Sequence, residues 1–298
     1  MKRMAKRVCC MGWINEAQGS LLMTGSDDGV VRVRDGLLQA GATGPDDMEP
    51  PRLLTALHVA PDLRPGGRGP GLVTRWLQRQ GLLVAAGGTP LLRIWDMARE
   101  QLWSEWSAAP VETAVTTVTS LIPRAGVGRG QAAASSFLGE NVIGVGMANG
   151  MIKLFDIRQG PRSMGKYHEH ENWIVNIDIH QTRGGVPQMT GGCARGVLRL
   201  WDLRSERVLS VEEIQKTPVT AMAAHPRVPV LASGSHNQYV NIVTRDGDQM
   251  DHIKFYPGFM GMRMGSITSL AWHPHSLKLA TGTEQDFVTI FDVEQENQ

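Results

Sequence analysis

Apolar and polar residues alternate along this chain in short runs, and one fifteen-residue arrangement of them comes back six times. "LLMTGSDDGVVRVRD" at 21–35 returns as "LLVAAGGTPLLRIWD" at 82–96, "VIGVGMANGMIKLFD" at 142–156 and "QMTGGCARGVLRLWD" at 188–202, then as "VLASGSHNQYVNIVT" at 230–244 and "KLATGTEQDFVTIFD" at 278–292. The thirteenth position is Val33, Ile94, Leu154, Leu200, Ile242 or Ile290, always apolar; the twelfth is Arg32, Arg93, Lys153, Arg199, Asn241 or Thr289, always polar. Alternation at period two predicts a strand with one inward and one outward face. The fifth position is Gly25, Ala86, Gly146, Gly192, Gly234 or Gly282. A column that stays small predicts a neighbouring element passing close to it. Turn formers such as Ser26-Asp27-Asp28-Gly29 divide the frame and suit a tight hairpin that needs positive φ.

Another short apolar run precedes most frames: "VTSL" at 118–121, "IVNIDIH" at 174–180, "VTAMAAHP" at 219–226 and "ITSLAWHP" at 267–274. Three strands and an outer connecting strand per repeat make the blade of a WD40 β-propeller. The predicted fold is therefore all-β, a propeller of six recognisable blades spread over 1–298 as one domain. Five frames end in Asp (Asp35, Asp96, Asp156, Asp202, Asp292), and Trp95-Asp96 and Trp201-Asp202 are Trp-Asp pairs. Two insertions, near 41–70 and 123–136, are rich in Pro, Gly and small residues and read as mobile surface loops. An outer strand for the sixth blade could come only from Met1–Cys10, and MKRMAKR is a poor strand former.

Composition adds little. The 298 residues are 42% hydrophobic and 20% charged, with a net charge of +1, so nothing favours nucleic acid as a partner. No apolar run follows the basic start, which argues against a secretory signal or a membrane span. Cys9, Cys10 and Cys193 form no disulfide framework and read as reduced, packed thiols in a cytosolic protein.

No catalytic, cofactor or metal motif stands out. His168 and His170 are two apart, but no third and fourth ligand lie nearby in sequence; His170, placed just before an inner strand, is expected to hydrogen-bond within its own blade. "AAGGTP" at 85–90 opens no helix, and no GxSxG nucleophile motif is present. A hydrolase would need a clustered, water-activating site that the sequence does not show. Asp156-Ile157-Arg158 and Asp202-Leu203-Arg204 repeat Asp-x-Arg after a frame. In some WD proteins that pattern contacts the adaptor of a cullin ubiquitin ligase, which makes Arg158 and Arg204 candidate partner-binding residues; the plainer reading is a surface Arg paired with the adjacent Asp. "KFYPGFMGMRMGSI" at 254–267 reads as a rim loop between an outer and an inner strand. Its Phe259, Met260 and Arg263 either pack at their own blade boundary or face a partner.

The last third of the chain carries a more specific likeness. Gly234-Ser235, Asn237-Gln238, Tyr256, Gly258-Phe259-Met260-Gly261, Arg263 and His273-Pro274-His275 resemble the C-terminal propeller of the Raptor family, regulatory subunits of target-of-rapamycin complex 1. "GWINEAQGSLLMTGSDDGVVRVRD", "LLRIWDMARE" and "YHEHENWIV" resemble earlier blades of the same propeller. The resemblance covers about 11–36, 70–122 and 137–293. It implies a non-catalytic scaffold in nutrient-responsive signalling, with the kinase complex and its substrates as protein partners. It also implies a cytoplasmic location with recruitment to the lysosomal or vacuolar membrane surface. The family credits substrate selection largely to regions outside these blades. Its propeller has seven blades, and this chain begins where the second would, so either the chain is a fragment or it closes a six-bladed ring. The alternative function is substrate receptor of a cullin-type ubiquitin ligase.

Overall fold

The computed structural model describes residues 7–14, 20–35, 51–66, 69–109, 113–121, 141–182, 184–237, 239–254 and 265–292. Within them all regular structure is extended, in 23 strands arranged as six antiparallel meanders. The first sheet runs β1 (Val8–Ile14), β2 (Leu21–Ser26), β3 (Val30–Asp35), β4 (Arg52–His58); the second β5 (Val73–Leu77), β6 (Leu82–Ala86), β7 (Leu91–Asp96), β8 (Gln101–Ser107). The third holds β9 (Val115–Ser120), β10 (Val142–Met147), β11 (Ile152–Asp156) and β12 (Ser163–Tyr167). The fourth holds β13 (Ile174–Gln181), β14 (Pro187–Cys193), β15 (Val197–Asp202) and β16 (Arg207–Glu213). The fifth holds β17 (Val219–Ala224), β18 (Val230–Ser235), β19 (Tyr239–Thr244) and β20 (Gln249–Lys254), and the sixth has three described strands, β21 (Ile267–Trp272), β22 (Lys278–Thr283) and β23 (Val288–Asp292). Each frame in the sequence is the second and third strand of one sheet.

Two expectations change. The stretch 41–70 is not a loop throughout: β4 lies inside it, paired with β3 from Val30↔His58 to Asp35↔Arg52, and the following Val59 and Ala60 are buried. The strand-forming run Leu53-Leu54-Thr55-Ala56-Leu57 prevails over its Pro-rich flank. Val8–Cys10 do not serve the last sheet, because they begin β1, the first strand of the first sheet. The second insertion, 123–136, lies outside the described residues.

The chain forms two compact units, residues 1–118 with 155–163 and residues 119–154 with 164–298. Both obey one packing rule. In the first, third, fourth and fifth sheets, residues at the eleventh or thirteenth frame position, on the third strand, bury their side chains on the first two strands of the next sheet. In the first unit Val31 and Val33 of β3 cluster with Leu72, Leu83 and Ala85. In the second, Ile152 and Leu154 of β11 cluster with Ile177, Ile179 and Met189, Leu198 of β15 with Val219, Met222 and Leu231, and Val240 of β19 with Ile267 and Leu279. Each such aliphatic side chain contributes about 1.5–3 kcal/mol by leaving water.

The small fifth column follows from the same stacking. A Cβ on Gly234 would stand 2.6 Å from Ile267 Cγ2 of the next sheet, and one on Gly192 would overlap the Met222 thioether. The turn inside the frame is as constrained. Gly29, Gly150 and Gly196, all at the ninth position, have φ of 73°, 82° and 89°. A Cβ on them would run into the backbone carbonyl of Ala60, His170 and Gln215 respectively, each just past an outer strand.

Half of the polar twelfth column does not face solvent as alternation predicts. Arg93, Lys153 and Asn241 are buried, because a sheet stacked between sheets has no wet face. Burial of these groups is tolerable because partners are supplied. Arg93 pairs with Asp62 and, through Nε at 2.7 Å, with Glu105; Arg199 Nη1 donates to the Glu169 carbonyl, and Asn241 Nδ2 donates to the Ile214 carbonyl at 2.8 Å. Asp62, Glu169 and Ile214 all lie just beyond the outer strand of the preceding sheet, so in the second, fourth and fifth sheets this column straps the sheet to the one before it. Bulges recur between the thirteenth and fourteenth positions, at Val33/Arg34, Ile94/Trp95, Leu200/Trp201 and Ile242/Val243, twisting the outer strand away from the third.

Gly196→Ala is expected to lower stability by about 1–3 kcal/mol from its backbone conformation alone, and further through the Gln215 carbonyl. Gly12→Ala, with open space around the new methyl, leaves stability unchanged. Urea unfolding of the two variants checks both.

Candidate docking surfaces

The repeat aspartates start the connection from the third strand to the outer strand. Asp96 Oδ1 accepts from Ala98 N at 3.0 Å, Asp156 Oδ1 from Arg158 N at 2.9 Å and Asp202 Oδ1 from Arg204 N at 2.8 Å. Such Asx turns start the chain reversal, which then takes positive φ at Glu100 (53°), Gly160 (81°) and Glu206 (54°). Asp292 instead pairs with Lys278 Nζ at 2.7 Å across β22 and β23, and Asp35 ends β3 opposite Arg52.

The two Asp-x-Arg pairs differ. Arg158 grips Asp156 in a fork, Nε to Oδ1 at 3.0 Å and Nη2 to Oδ2 at 2.6 Å. Those hydrogen bonds hold the Asp156 carboxyl below the usual carboxylate range against the opposing effect of its burial. Arg204 makes no such fork. Its guanidinium lies on the surface, with Nη2 donating to the Gly185 carbonyl at 3.3 Å, and it borders an open cleft of about 290 Å3 with Tyr167, Leu203, Ser205 and Glu206. Burial, with Glu206, Glu169 and Asp202 nearby, pushes the Tyr167 phenol up to about 12.

Trp95 and Trp201 both use the indole N–H on the segment after the preceding outer strand. Trp95 Nε1 donates to the Val59 carbonyl at 3.2 Å and Trp201 Nε1 to Glu169 Oε2 at 2.6 Å. His170 departs from expectation. It is buried and packs edge-on against Trp201 with ring centroids 5.6 Å apart, but neither ring nitrogen has a partner of full hydrogen-bond geometry. Glu169 has taken the indole N–H. Burial and the Arg199 charge lower the His170 pKa to about 4, and a looser approach to the Gly191 backbone only partly opposes them. A second buried cluster joins the fourth and fifth sheets. Arg245 Nε lies 2.7 Å and His180 Nδ1 3.3 Å from Asp178 Oδ2, and Arg245 Nη2 donates to the His225 carbonyl at 3.1 Å. Burial acts to raise the Asp178 carboxyl; the His180 ring and the Arg245 charge outweigh it and hold the group low.

Exposed apolar residues lie on the outer strands and also on β1 and β23, at Met11, Trp13, Val288 and Ile290. Leu53 and Leu54 of β4 and Leu102 and Trp103 of β8 are exposed in the first unit, where Thr55 Oγ1 of β4 donates to Glu100 Oε1, just before β8, at 2.5 Å. In the second unit Val208, Leu209 and Val211 of β16 and Met250 of β20 are exposed. No frame marks these strands in the sequence. The available signal is the run of large apolar residues in "QLWSEWS" and "RVLSVEE". Phe259, Met260 and Arg263 lie outside the described residues. Cys9, Cys10 and Cys193 are free thiols; burial pushes the Cys10 thiol up to about 11, so it packs rather than reacts. Among the described residues no group of three or more His, Cys, Asp and Glu side chains is arranged to hold a metal ion, and no helix is long and apolar enough to cross a membrane.

His170 makes stability depend on pH. Its folded pKa lies below the unfolded value, so its contribution is complete above about 6.5 and is lost as pH falls toward 4. Between pH 7 and pH 5 the protein is expected to lose about 2 kcal/mol more than a His170→Phe variant, read by urea unfolding at the two pH values. Equal losses would mean that the ring takes its proton in the folded state.

No family model matches the chain. It is 29% identical over 280 residues to the target of rapamycin complex 1 subunit mip1 of Schizosaccharomyces pombe, covering 93% of this chain and 19% of that protein. It is also 29% identical over 281 residues, with the same coverage, to the regulatory-associated protein of TOR 1 of Arabidopsis thaliana. The chain thus spans about a fifth of the length of the curated relatives it matches. Among solved structures, Raptor of Chaetomium thermophilum superposes over 99% of this chain and 25% of its own, with a TM-score of 0.75 and 25% identity. That likeness and the six blade-like meanders give the chain the WD40 β-propeller fold, and its sequence is similar to Raptor-type subunits.

Proposed function

We propose that this chain serves as a non-catalytic scaffold of target-of-rapamycin complex 1, bringing substrates to the kinase in nutrient-responsive growth signalling. The observation that carries the reading is the Raptor likeness over 99% of the chain. The geometry agrees with it: Arg93, Arg199 and Asn241 are engaged in strapping sheets together, and much of the apolar surface left over is on outer strands, where a protein can dock. The protein works in the cytoplasm and is recruited to the lysosomal or vacuolar membrane surface through its complex. Leu102 and Trp103 of β8, and the loop carrying Phe259, Met260 and Arg263, are the docking residues in this reading.

A second reading, substrate receptor of a cullin-type ubiquitin ligase, is favoured by the surface guanidinium of Arg204, which is not forked onto Asp202.

Immunoprecipitation of the full protein from its own cells is expected to recover the target-of-rapamycin kinase. Trp103→Ser and Arg263→Ala should each reduce recovery several-fold without lowering the melting temperature. Absence of the kinase above a control precipitation would defeat the scaffold reading. A lower melting temperature with unchanged recovery would make the 254–267 loop packing alone. Loss of a ligase adaptor, and not of the kinase, on Arg158→Ala with Arg204→Ala would support the second reading instead.

A further inference from the structure

The turn from the third strand to the outer strand has the same backbone in the second and fourth sheets, with different outcomes. Glu100 and Glu206, each the fourth residue past a frame aspartate, take left-handed φ of 53° and 54°. Glu100 is engaged, because its carboxylate accepts from Thr55 Oγ1 of β4, the outer strand of the preceding sheet. Glu206 meets the corresponding strand, β12, across an open cleft of about 290 Å3 whose lining lies wholly within the second unit. Among the described residues the Glu206 carboxylate has no hydrogen bond and no ion pair.

Inside the cleft a second polar group is unmatched. Leu154, Met164 and Leu203 form apolar walls. Tyr167 is 4% exposed, and its ring packs on Trp201 with centroids 5.7 Å apart. Its hydroxyl sits beside Gly165, another lining residue, where a Cβ would stand 3.1 Å from Tyr167 Oη. That hydroxyl has no hydrogen-bond partner among the described residues, although a buried phenol ordinarily finds one. The charges acting on it are all carboxylates: Glu206, Glu169 and Asp202. Two of them are engaged, Glu169 by the Trp201 indole N–H and Asp202 by the Arg204 backbone N–H. Arg204 borders the cleft, but its guanidinium donates through Nη2 to the Gly185 carbonyl at 3.3 Å. The cleft thus combines apolar walls, a free carboxylate and a free hydroxyl in a negative field, the complement of a long side chain that ends in a cation.

We infer that this cleft receives a basic side chain, an arginine or lysine, of a partner protein. The methylene stem lies on Leu154, Met164 and Leu203, and the charged head donates to the Glu206 carboxylate and the Tyr167 hydroxyl oxygen. Arginine is enriched among the few residues that anchor protein interfaces, where it fills pockets of this kind. This inference does not depend on the scaffold reading.

Carbon NMR of labelled tyrosine rings and methionine methyls in the 298-residue protein tests it. The probes are acetyl-Gly-Arg-Gly-amide, acetyl-Gly-Lys-Gly-amide and, as control, acetyl-Gly-Gln-Gly-amide. The Tyr167 and Met164 signals are identified with Tyr167→Phe and Met164→Leu. Both should shift saturably with the basic peptides, with a Kd of about 1–10 mM, and not with the glutamine peptide. Glu206→Gln, and Tyr167→Phe read at Met164, should each raise that Kd about three-fold. No saturable shift with either basic peptide would overturn the inference. So would an equal response to the glutamine peptide, or a Kd that neither substitution changes.

Discussion

Everything in this fold depends on how closely one sheet lies on the next. On β3, β11, β15 and β19 aliphatic side chains leave water because strands of the following sheet sit against them. That approach sets the other rules. Where Ile267 passes, Gly234 has no room for a methyl group, and where the chain returns from an outer strand, Gly196 meets a carbonyl. Where the polar column between the aliphatic ones cannot reach solvent, Arg93 and Asn241 find carboxylates and carbonyls on the segment behind them. Removing one partner of such a buried pair strands the other, which is why charged groups here tie the stack together rather than decorate it.

A stack built this way spends its strand faces on itself. What remains for other molecules is the outer strands, the turns at their ends, the connecting loops and the exposed residues of β1 and β23. Leu102 and Trp103, Val208 and Leu209, and Met250 are apolar residues on strands that carry no frame, and none is needed for the stacking of sheets. The forked Arg158 and the surface Arg204 lie in turns that lead to such strands. This division suits a protein that holds others in place. It also explains why Tyr167 and Cys10, both pushed high by burial, read as packing groups rather than reagents.

Much of the fold was legible because the repeat acts six times on the same columns. The hairpin of each frame, the small fifth position and the positive φ at Gly29 follow from period, size and turn chemistry alone. Less legible were features set by neighbours far away in sequence. Position twelve looks like a solvent face when one sheet is considered, and only a second sheet reveals Arg93 as buried. The outer strand β4 hides beside Pro50 and Pro51, because its pairing with β3 outweighs local composition. His170 has the expected place but not the expected hydrogen bond within its blade, and the Trp201 indole beside it donates to Glu169. The exposure of Val288 and Ile290 is invisible in a column that reads the same in every frame.

The central claim is that contact between successive sheets, and not local strand preference, selects the residues of the frame. A double-mutant cycle at Gly234 and Ile267 tests it most directly, with unfolding free energies measured for Gly234→Ala, Ile267→Ala and the pair. The account predicts that the pair costs less than the sum of the single changes by about 1 kcal/mol or more, because trimming Ile267 makes room for the new methyl. Simple additivity would contradict it.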